Sequence, residues 1–405
     1  MTSANETPDR YRWVILGVLW ITYLVVFLHR LSIGPLAPFL KQSFDITSTQ
    51  VGLLMSAASL GYMVSMFPTG WFVDRIGARR PIIMGALIAG TCMLALFFID
   101  SYPWLVTLTF LTGLGSGFLF PSTTQGVIAW FPPRERATAM GFKQTAVNIG
   151  GIVSAATLPA IALTLGWRYC FLILGFFSLA IGGAAFLLYR NPPLHPFPAG
   201  PSASKDSLSL KEILRSREIW LIAFCGMCLN WFEMTLITYL VLYLKEVLMF
   251  GVVSAGVLLA MVEAGGAIAR PGGGILSDGV FRGNRKKVFM LMAATASVTS
   301  LLVGLLGPHL SWLLYPVLLL MGMGGLGFGG IYLTLLSEFA GRRGAGKAVG
   351  LGGILTLLGS VIGPAVFGRI LDTSGSYTFS WLSLTLVSTV CLFFLLLVKE
   401  EKRKI

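Results

Sequence analysis

The sequence is short of charge. Asp, Glu, Lys and Arg make up 12% of its 405 residues, where a water-soluble chain carries about 25%. A deficit of that size excludes a soluble enzyme. Cysteine and histidine are equally sparse: Cys92, Cys170, Cys225, Cys228 and Cys391 fall in or beside apolar runs. The Cys225-x-x-Cys228 pair has no second pair and no neighbouring His to complete a metal site. No metal and no cofactor are expected. There is also no Gly-x-Ser-x-Gly elbow and no P-loop, so no catalytic residue is expected, and energy for any transport must come from a gradient.

What the chain has instead is apolar length. Hydrophobic residues make up 55% of it, gathered into runs of about 20 residues that each span a ~30 Å hydrocarbon layer as a helix. The runs predict twelve membrane helices at 13–39, 49–70, 81–99, 104–130, 138–164, 169–189, 218–244, 251–276, 288–306, 311–336, 346–370 and 378–398, here numbered helix 1 to helix 12. Basic residues crowd the loops on one side, among them Arg75, Arg79, Arg80, Arg134, Arg136, Lys205, Arg282, Arg285, Arg342, Arg343, Lys402, Arg403 and Lys404. The opposite loops hold Lys41, Arg168 and Lys245. The positive-inside rule then expects both termini in the cytoplasm and an integral multi-pass protein of the cell (inner) membrane. The net charge of +13 is topological, parcelled into short loops rather than laid along one wet face, so no nucleic acid is expected. Residues 1–12 lack a short apolar segment with a cleavage site, and helix 1 is expected to be retained.

The longest polar interruption divides the helices six and six. It gives an N-terminal bundle at 1–189, a cytoplasmic linker at 190–217 and a C-terminal bundle at 218–405. Within the linker, Leu208, Leu210, Ile213 and Leu214 form one apolar face of a possible surface helix, and His195 is expected to be solvated. An internal repeat supports the division. After helix 2 the chain reads Gly70-x-x-x-Asp74-Arg75-x-Gly77-x-Arg79-Arg80, and after helix 8 Gly274-x-x-x-Asp278-x-x-x-Arg282-Gly283-x-Arg285. Two homologous halves side by side place a binding site at mid-membrane between them.

Ionisable side chains inside spans are costly, and each is a functional hypothesis. Helix 1 carries His29 and Arg30, helix 5 Lys143, helix 7 Glu233, helix 8 Glu263 and Arg270. Glu233 and Arg30 occupy nearly equivalent places in the two halves, while Glu263 and Arg270, seven residues apart, share a helix face. Lys143, two turns from a helix end, is expected to snorkel to the surface. Two arginines and two acids suit a small organic anion: Arg offers paired donors for a carboxylate, and a buried Glu can hold or release a proton. The alternative is that Arg30 with Glu233, and Glu263 with Arg270, are structural ion pairs. Uncharged candidates for the same site are Tyr23, Tyr62, Gln125, Asn148 and Tyr332. The clusters Gly113-x-Gly115-x-Gly117 and Gly322 to Gly330 allow close helix packing and bending.

The Gly70–Arg80 motif and its degenerate copy resemble the signature of the major facilitator superfamily. The resemblance implies an all-α membrane protein of two pseudo-symmetric six-helix bundles working by rocker-switch alternating access. It also implies a gating latch, which falls here on Asp74, Arg75, Arg79, Asp278 and Arg282. The helix 1 stretch from Arg30 to Pro38 and the loop Ser277–Arg285 look like the organophosphate and anion:cation symporter branches. Ala269-Arg270-Pro271 and the ending Gly363-Pro364 with Asp372-x-x-Gly375 look like monocarboxylate and oxalate transporters. Glu233 and Val147 depart from the phosphate-ester pattern, and Gly266 stands where monocarboxylate transporters carry an acid. The resulting expectation is a monomeric secondary transporter in the lipid bilayer. Its partners would be a small organic anion, by preference a monocarboxylate, and a proton. Substrate contacts would come from Arg30, Arg270, Tyr332, Asn148, Tyr23 and Gln125, with Glu233, Glu263 or His29 carrying the proton. A proton-coupled drug or metabolite exporter, an anion exchanger of the same fold and a solute receptor are the competing readings.

Overall fold

The computed structural model describes residues 10–132, 135–191, 210–306, 309 and 311–399. Arg134, His195, Lys205, Leu208, Lys402, Arg403 and Lys404 lie outside them, as do the side chains of Leu210, Arg342 and Arg343. Among the described residues there are helices and no strands. Twelve helices are long and apolar enough to cross a bilayer: Tyr11–Phe44, Ser48–Ile76, Arg79–Phe98, Tyr102–Trp130, Thr138–Thr164, Trp167–Leu188, Arg217–Glu246, Val252–Gly279, Arg285–Leu306, Leu314–Gly341, Gly344–Ser374 and Tyr377–Leu397. They fall on the expected spans and keep the same numbers. Helices 1, 2, 10 and 11 overrun the expected ends, because hydropathy marks where hydrocarbon stops and not where backbone hydrogen bonding stops. Helix 2, for example, starts in a capping box in which Thr47 and Gln50 exchange hydrogen bonds and ends only at Gly77, at φ +77°.

The start of helix 1 meets the end of helix 6, where the Tyr11 hydroxyl donates to the Leu188 carbonyl at 2.6 Å. Lys286, at the start of helix 9, donates to the Val398 carbonyl at 2.7 Å. Both described chain ends therefore lie on one face, called the terminal face below. The halves meet along helix 2 against helix 11, helix 5 against helix 8, and the second part of helix 1 against helix 7. Helices 1 and 7 are the most buried. Large apolar side chains such as Phe176, Phe186, Phe393 and Leu396 point outward from helices 6 and 12, as lipid-facing positions require. Trp13 and Trp71 near the terminal face, and Trp104 and Trp312 near the opposite one, are also exposed, at the depths where indole rings favour the bilayer interface.

Two of these helices are broken, and both breaks border the centre. Helix 1 consists of Tyr11–Arg30 and Ile33–Phe44. Pro35 has no N–H to return to Leu31. The Leu31 carbonyl accepts instead from Ser154 Oγ of helix 5 at 3.2 Å, and Ser32 Oγ turns back to the His29 carbonyl at 2.8 Å. Helix 10 is interrupted after Leu326, inside the glycine cluster. There Gly322 lies against the Val262 backbone of helix 8, so closely that a Cβ would sit 1.9 Å from its carbonyl oxygen.

Candidate functional site

Arg30 ends the first segment of helix 1 and is 8% exposed. Its guanidinium lies 4.9 Å from the Tyr62 ring centroid, with Nη2 3.5 Å from Ser59 Oγ, the outer limit of a hydrogen bond. It makes no ion pair among the described residues, and its Nε has no hydrogen-bond partner. His29, Arg30, Tyr62, Thr112 and Ser116 line a cavity of 20 Å³, enough for about one water. Thr112 Oγ1, Ser116 Oγ and His29 Nδ1 are, like Arg30 Nε, buried without a partner.

From the second half, Arg270 reaches the same region. Its Nη2 lies 3.4 Å from Glu233 Oε1 and its Nε donates at 3.2 Å to the Leu326 carbonyl, at the break in helix 10. Glu233 also accepts from Asn230 at 3.3 Å. Arg30 and Arg270 both lie within electrostatic reach of Glu233 and of the Tyr23 hydroxyl. Glu263 is 3% exposed and makes no ion pair among the described residues. Its carboxyl packs on Gly151 of helix 5, where an added Cβ would stand 2.5 Å from it. Glu233 and Arg270 remain within its electrostatic reach.

The pairing differs from both expected pairs. Arg270 joins Glu233 rather than Glu263, because the break at Gly327 offers it the Leu326 carbonyl and turns it toward helix 7. Arg30 is left without an acid. His29 turns away from this cluster into the first half, Nε2 lying 3.4 Å from the Leu174 carbonyl of helix 6. Tyr332 is packed inside the second half, its hydroxyl accepting from Thr356 at 3.1 Å and its ring lying over Gly226 and Gly352. Gln125 lines a separate pocket of 580 Å³ on the terminal face, with Asp74, Arg75, Arg80 and Tyr189. Asn148 is 8% exposed with an unpartnered Oδ1. Lys143 does not snorkel. It is wholly buried, its Nζ 4.3 Å from the Tyr23 ring centroid, a placement that its distance from the helix end did not indicate.

The face opposite the termini is sealed. Asp372, near the end of helix 11, accepts from Ser48 N at 2.9 Å, Thr49 N at 2.7 Å and Thr49 Oγ1 at 2.5 Å, capping helix 2 from the other half. Lys41 and Glu246 form an ion pair at 3.0 Å, and the Tyr377 hydroxyl donates to Glu246 at 2.7 Å. The Tyr239 hydroxyl lies between the Ser48 and Pro364 carbonyls. On the terminal face Asp74 is exposed and makes no ion pair among the described residues. Arg75 stacks on Trp71, and Arg79 donates to the Phe186 carbonyl. In the second half Asp278 pairs with Arg285, not with Arg282, and Arg285 also lies 3.8 Å from Glu338 of helix 10. Arg282 and Gly283 both take left-handed backbone, at φ +50° and +84°. The turn they make leaves Arg282 exposed and carries the chain back so that Arg285 meets Asp278. Among the described residues, polar contacts between the halves therefore close the face opposite the termini.

A bundle of twelve membrane-length helices with charged residues at its centre and polar contacts at its ends is a carrier-like architecture. The profile of the Major Facilitator Superfamily matches residues 19–364, and the chain belongs to that family. It is 27% identical over 396 residues to the "Probable sulfoacetate transporter SauU" of Cupriavidus necator, covering 90% of this chain and 89% of that one. It is 24% identical over 397 residues to the "Hexuronate transporter" of Bacillus subtilis, covering 94% and 92%. It is also 27% identical over 399 residues to the "Membrane sensor protein UhpC" of Escherichia coli, covering 92% and 90%. In fold it matches a bacterial homologue of the lysosomal transporter Spinster, solved in an inward-facing, unoccupied conformation, with a TM-score of 0.82 at 18% identity, covering 96% of this chain and 97% of that one. The chain is an integral membrane protein of this transporter family and not an enzyme.

Proposed function

We propose that this protein is a proton-coupled secondary transporter of a small organic acid, whose carboxylate is held between Arg30 and Arg270 during rocker-switch exchange. The observation that carries the reading is Arg30: a guanidinium 8% exposed, with no ion pair among the described residues, facing a cavity in which Thr112 Oγ1, Ser116 Oγ and His29 Nδ1 also lack partners. A buried cation without a counter-ion is expensive, and a solute anion supplies the missing charge. Arg270 adds a second planar donor set, already oriented by the Leu326 carbonyl. Glu263 is the proton carrier in this scheme, since protonating it breaks no ion pair, whereas protonating Glu233 costs the Arg270 contact. Asp74, Arg75, Arg79, Asp278 and Arg285 form the gate on the terminal face. That face is cytoplasmic by its basic loops, so the conformation is inward-facing. The relatives named for sulfoacetate and hexuronate are carriers of acids, which supports the anion assignment.

The test is a thermal-shift screen of purified protein against small carboxylates, sulfonates, phosphates, neutral sugars and lipophilic cations. Uptake into proteoliposomes with and without an imposed pH gradient follows. Stabilisation by carboxylates and gradient-driven uptake are expected; stabilisation by sugars or lipophilic cations alone overturns the reading. The likeness to UhpC favours a second reading, a sensor of the same solute class. Ligand-induced stabilisation with no uptake in either gradient selects it.

A further inference from the structure

Lys143 of helix 5 has 0% exposure. Its Nζ donates to Thr124 Oγ1 at 2.8 Å, lies 3.4 Å from Thr123 Oγ1, and sits 4.3 Å and 5.0 Å from the ring centroids of Tyr23 and Phe120. No carboxylate pairs with it among the described residues. Hydroxyl dipoles and ring faces offset part of the cost of burying an ammonium, not all of it. A methionine of the same length would pack here without that cost, so the charge calls for a function.

Tyr23 links this lysine to the centre. One side of its ring meets Lys143, while its hydroxyl lies within electrostatic reach of Arg30 and Arg270. Tyr23 and Arg30 are seven residues apart on one face of helix 1, a rise of about 10 Å. Lys143 lies against the Tyr23 ring, so about that rise separates the two cationic positions along helix 1. A small acid with a second anionic group a few bonds from its carboxylate bridges such a gap. Charge counting agrees. Arg30, Arg270 and Lys143 are three cations grouped around Tyr23; with protons on Lys143 and Glu263 and a charge on Glu233, two positive charges are left over, which two anionic groups neutralise.

We infer that Lys143 is a second anion subsite and that the solute carries two anionic groups, one on Arg30 and Arg270 and the other reaching Lys143 past Tyr23. The inference rests on the carrier reading above and replaces the single carboxylate expected from helices 1, 7 and 8. Lys143 engages the solute by exchanging its Thr124 contact for the anion, a rotamer change of a four-carbon chain.

The test compares matched probes on purified wild-type protein and Lys143→Met: D-glucarate with D-glucuronate, and sulfoacetate with acetate, by calorimetry or thermal shift. Wild type is expected to bind the doubly anionic member of at least one pair more tightly. Lys143→Met is expected to lose about tenfold or more for that member, the loss of a charge-assisted hydrogen bond, and to leave its singly anionic counterpart unchanged. Should Lys143→Met melt early, Lys143→Arg keeps the charge and must retain the double-anion preference. Equal losses for both members of a pair, or none, overturn the subsite while leaving the carrier reading intact. Absence of any anion response in wild type overturns both.

Discussion

Asp372 offers the sharpest test of how the closed face is held. Its carboxylate accepts from two backbone amides and a hydroxyl at the start of helix 2, at 2.9, 2.7 and 2.5 Å. It therefore serves as a helix N-terminal cap supplied by the other half of the molecule. Capping groups contribute about 0.5–2 kcal/mol, and this one is solvent-exposed, which argues against a larger value. The contact exists only while helices 2 and 11 are together on this face, so its loss acts on the conformational equilibrium rather than on either half alone. Asp372→Ala is expected to raise the population open on this face by roughly 2- to 30-fold, the Boltzmann equivalent of that range. Asp372→Asn, which keeps an acceptor oxygen but not the charge, falls between. Spin labels at Leu165 and Phe379, exposed positions near this face on opposite halves, report the open fraction by double electron–electron resonance. Four of the five native cysteines are buried, so replacing Cys92 clears the background. An unchanged distance distribution in Asp372→Ala would refute the reasoning.

Glycines at helix contacts separate conformational from structural effects. A Cβ at Gly52 would stand 2.2 Å from the Pro364 carbonyl oxygen across the halves, and one at Gly61 would stand 2.1 Å from the Phe110 carbonyl oxygen within the first half. Gly52→Ala is therefore expected to trap the state open on the face opposite the termini with little loss of stability, by the same spin-label readout. Gly61→Ala is expected to lower the melting temperature, with overpacking costing about 1–3 kcal/mol. Arg270→Lys replaces a planar fork with a point charge; it should weaken carboxylate binding at least about tenfold, ~1.4 kcal/mol, with normal yield of folded protein by size-exclusion chromatography. Glu263→Gln is expected to retain anion exchange between loaded and unloaded vesicles while abolishing stimulation of uptake by a pH gradient.

Which ionisable residues lie inside the spans was legible in the sequence more readily than which residues meet. An arginine or glutamate inside an apolar run stands out by its cost alone, and Arg30, Glu233, Glu263 and Arg270 are all found at the interface of the two halves or bordering it. Their partners depend on backbone irregularities that spacing does not encode. Sharing a helix face with Glu263 did not pair Arg270 with it, because the opened helix 10 supplies a carbonyl and Glu233 supplies the acid. Asp278 meets Arg285 because two left-handed residues reverse the chain. Lys143 sits two turns from a helix end, near enough to reach water, yet Thr124 and Tyr23 hold it inward. The contacts at the helix ends pose a different problem, since under the proposed alternating access one sequence must specify contacts for both faces that are not made together. Asp74 on helix 2 makes no ion pair among the described residues, while Asp372 on helix 11 caps helix 2 at its other end. These two acids stand at opposite ends of the same helix pair, so weakening one latch should favour the state in which the other engages.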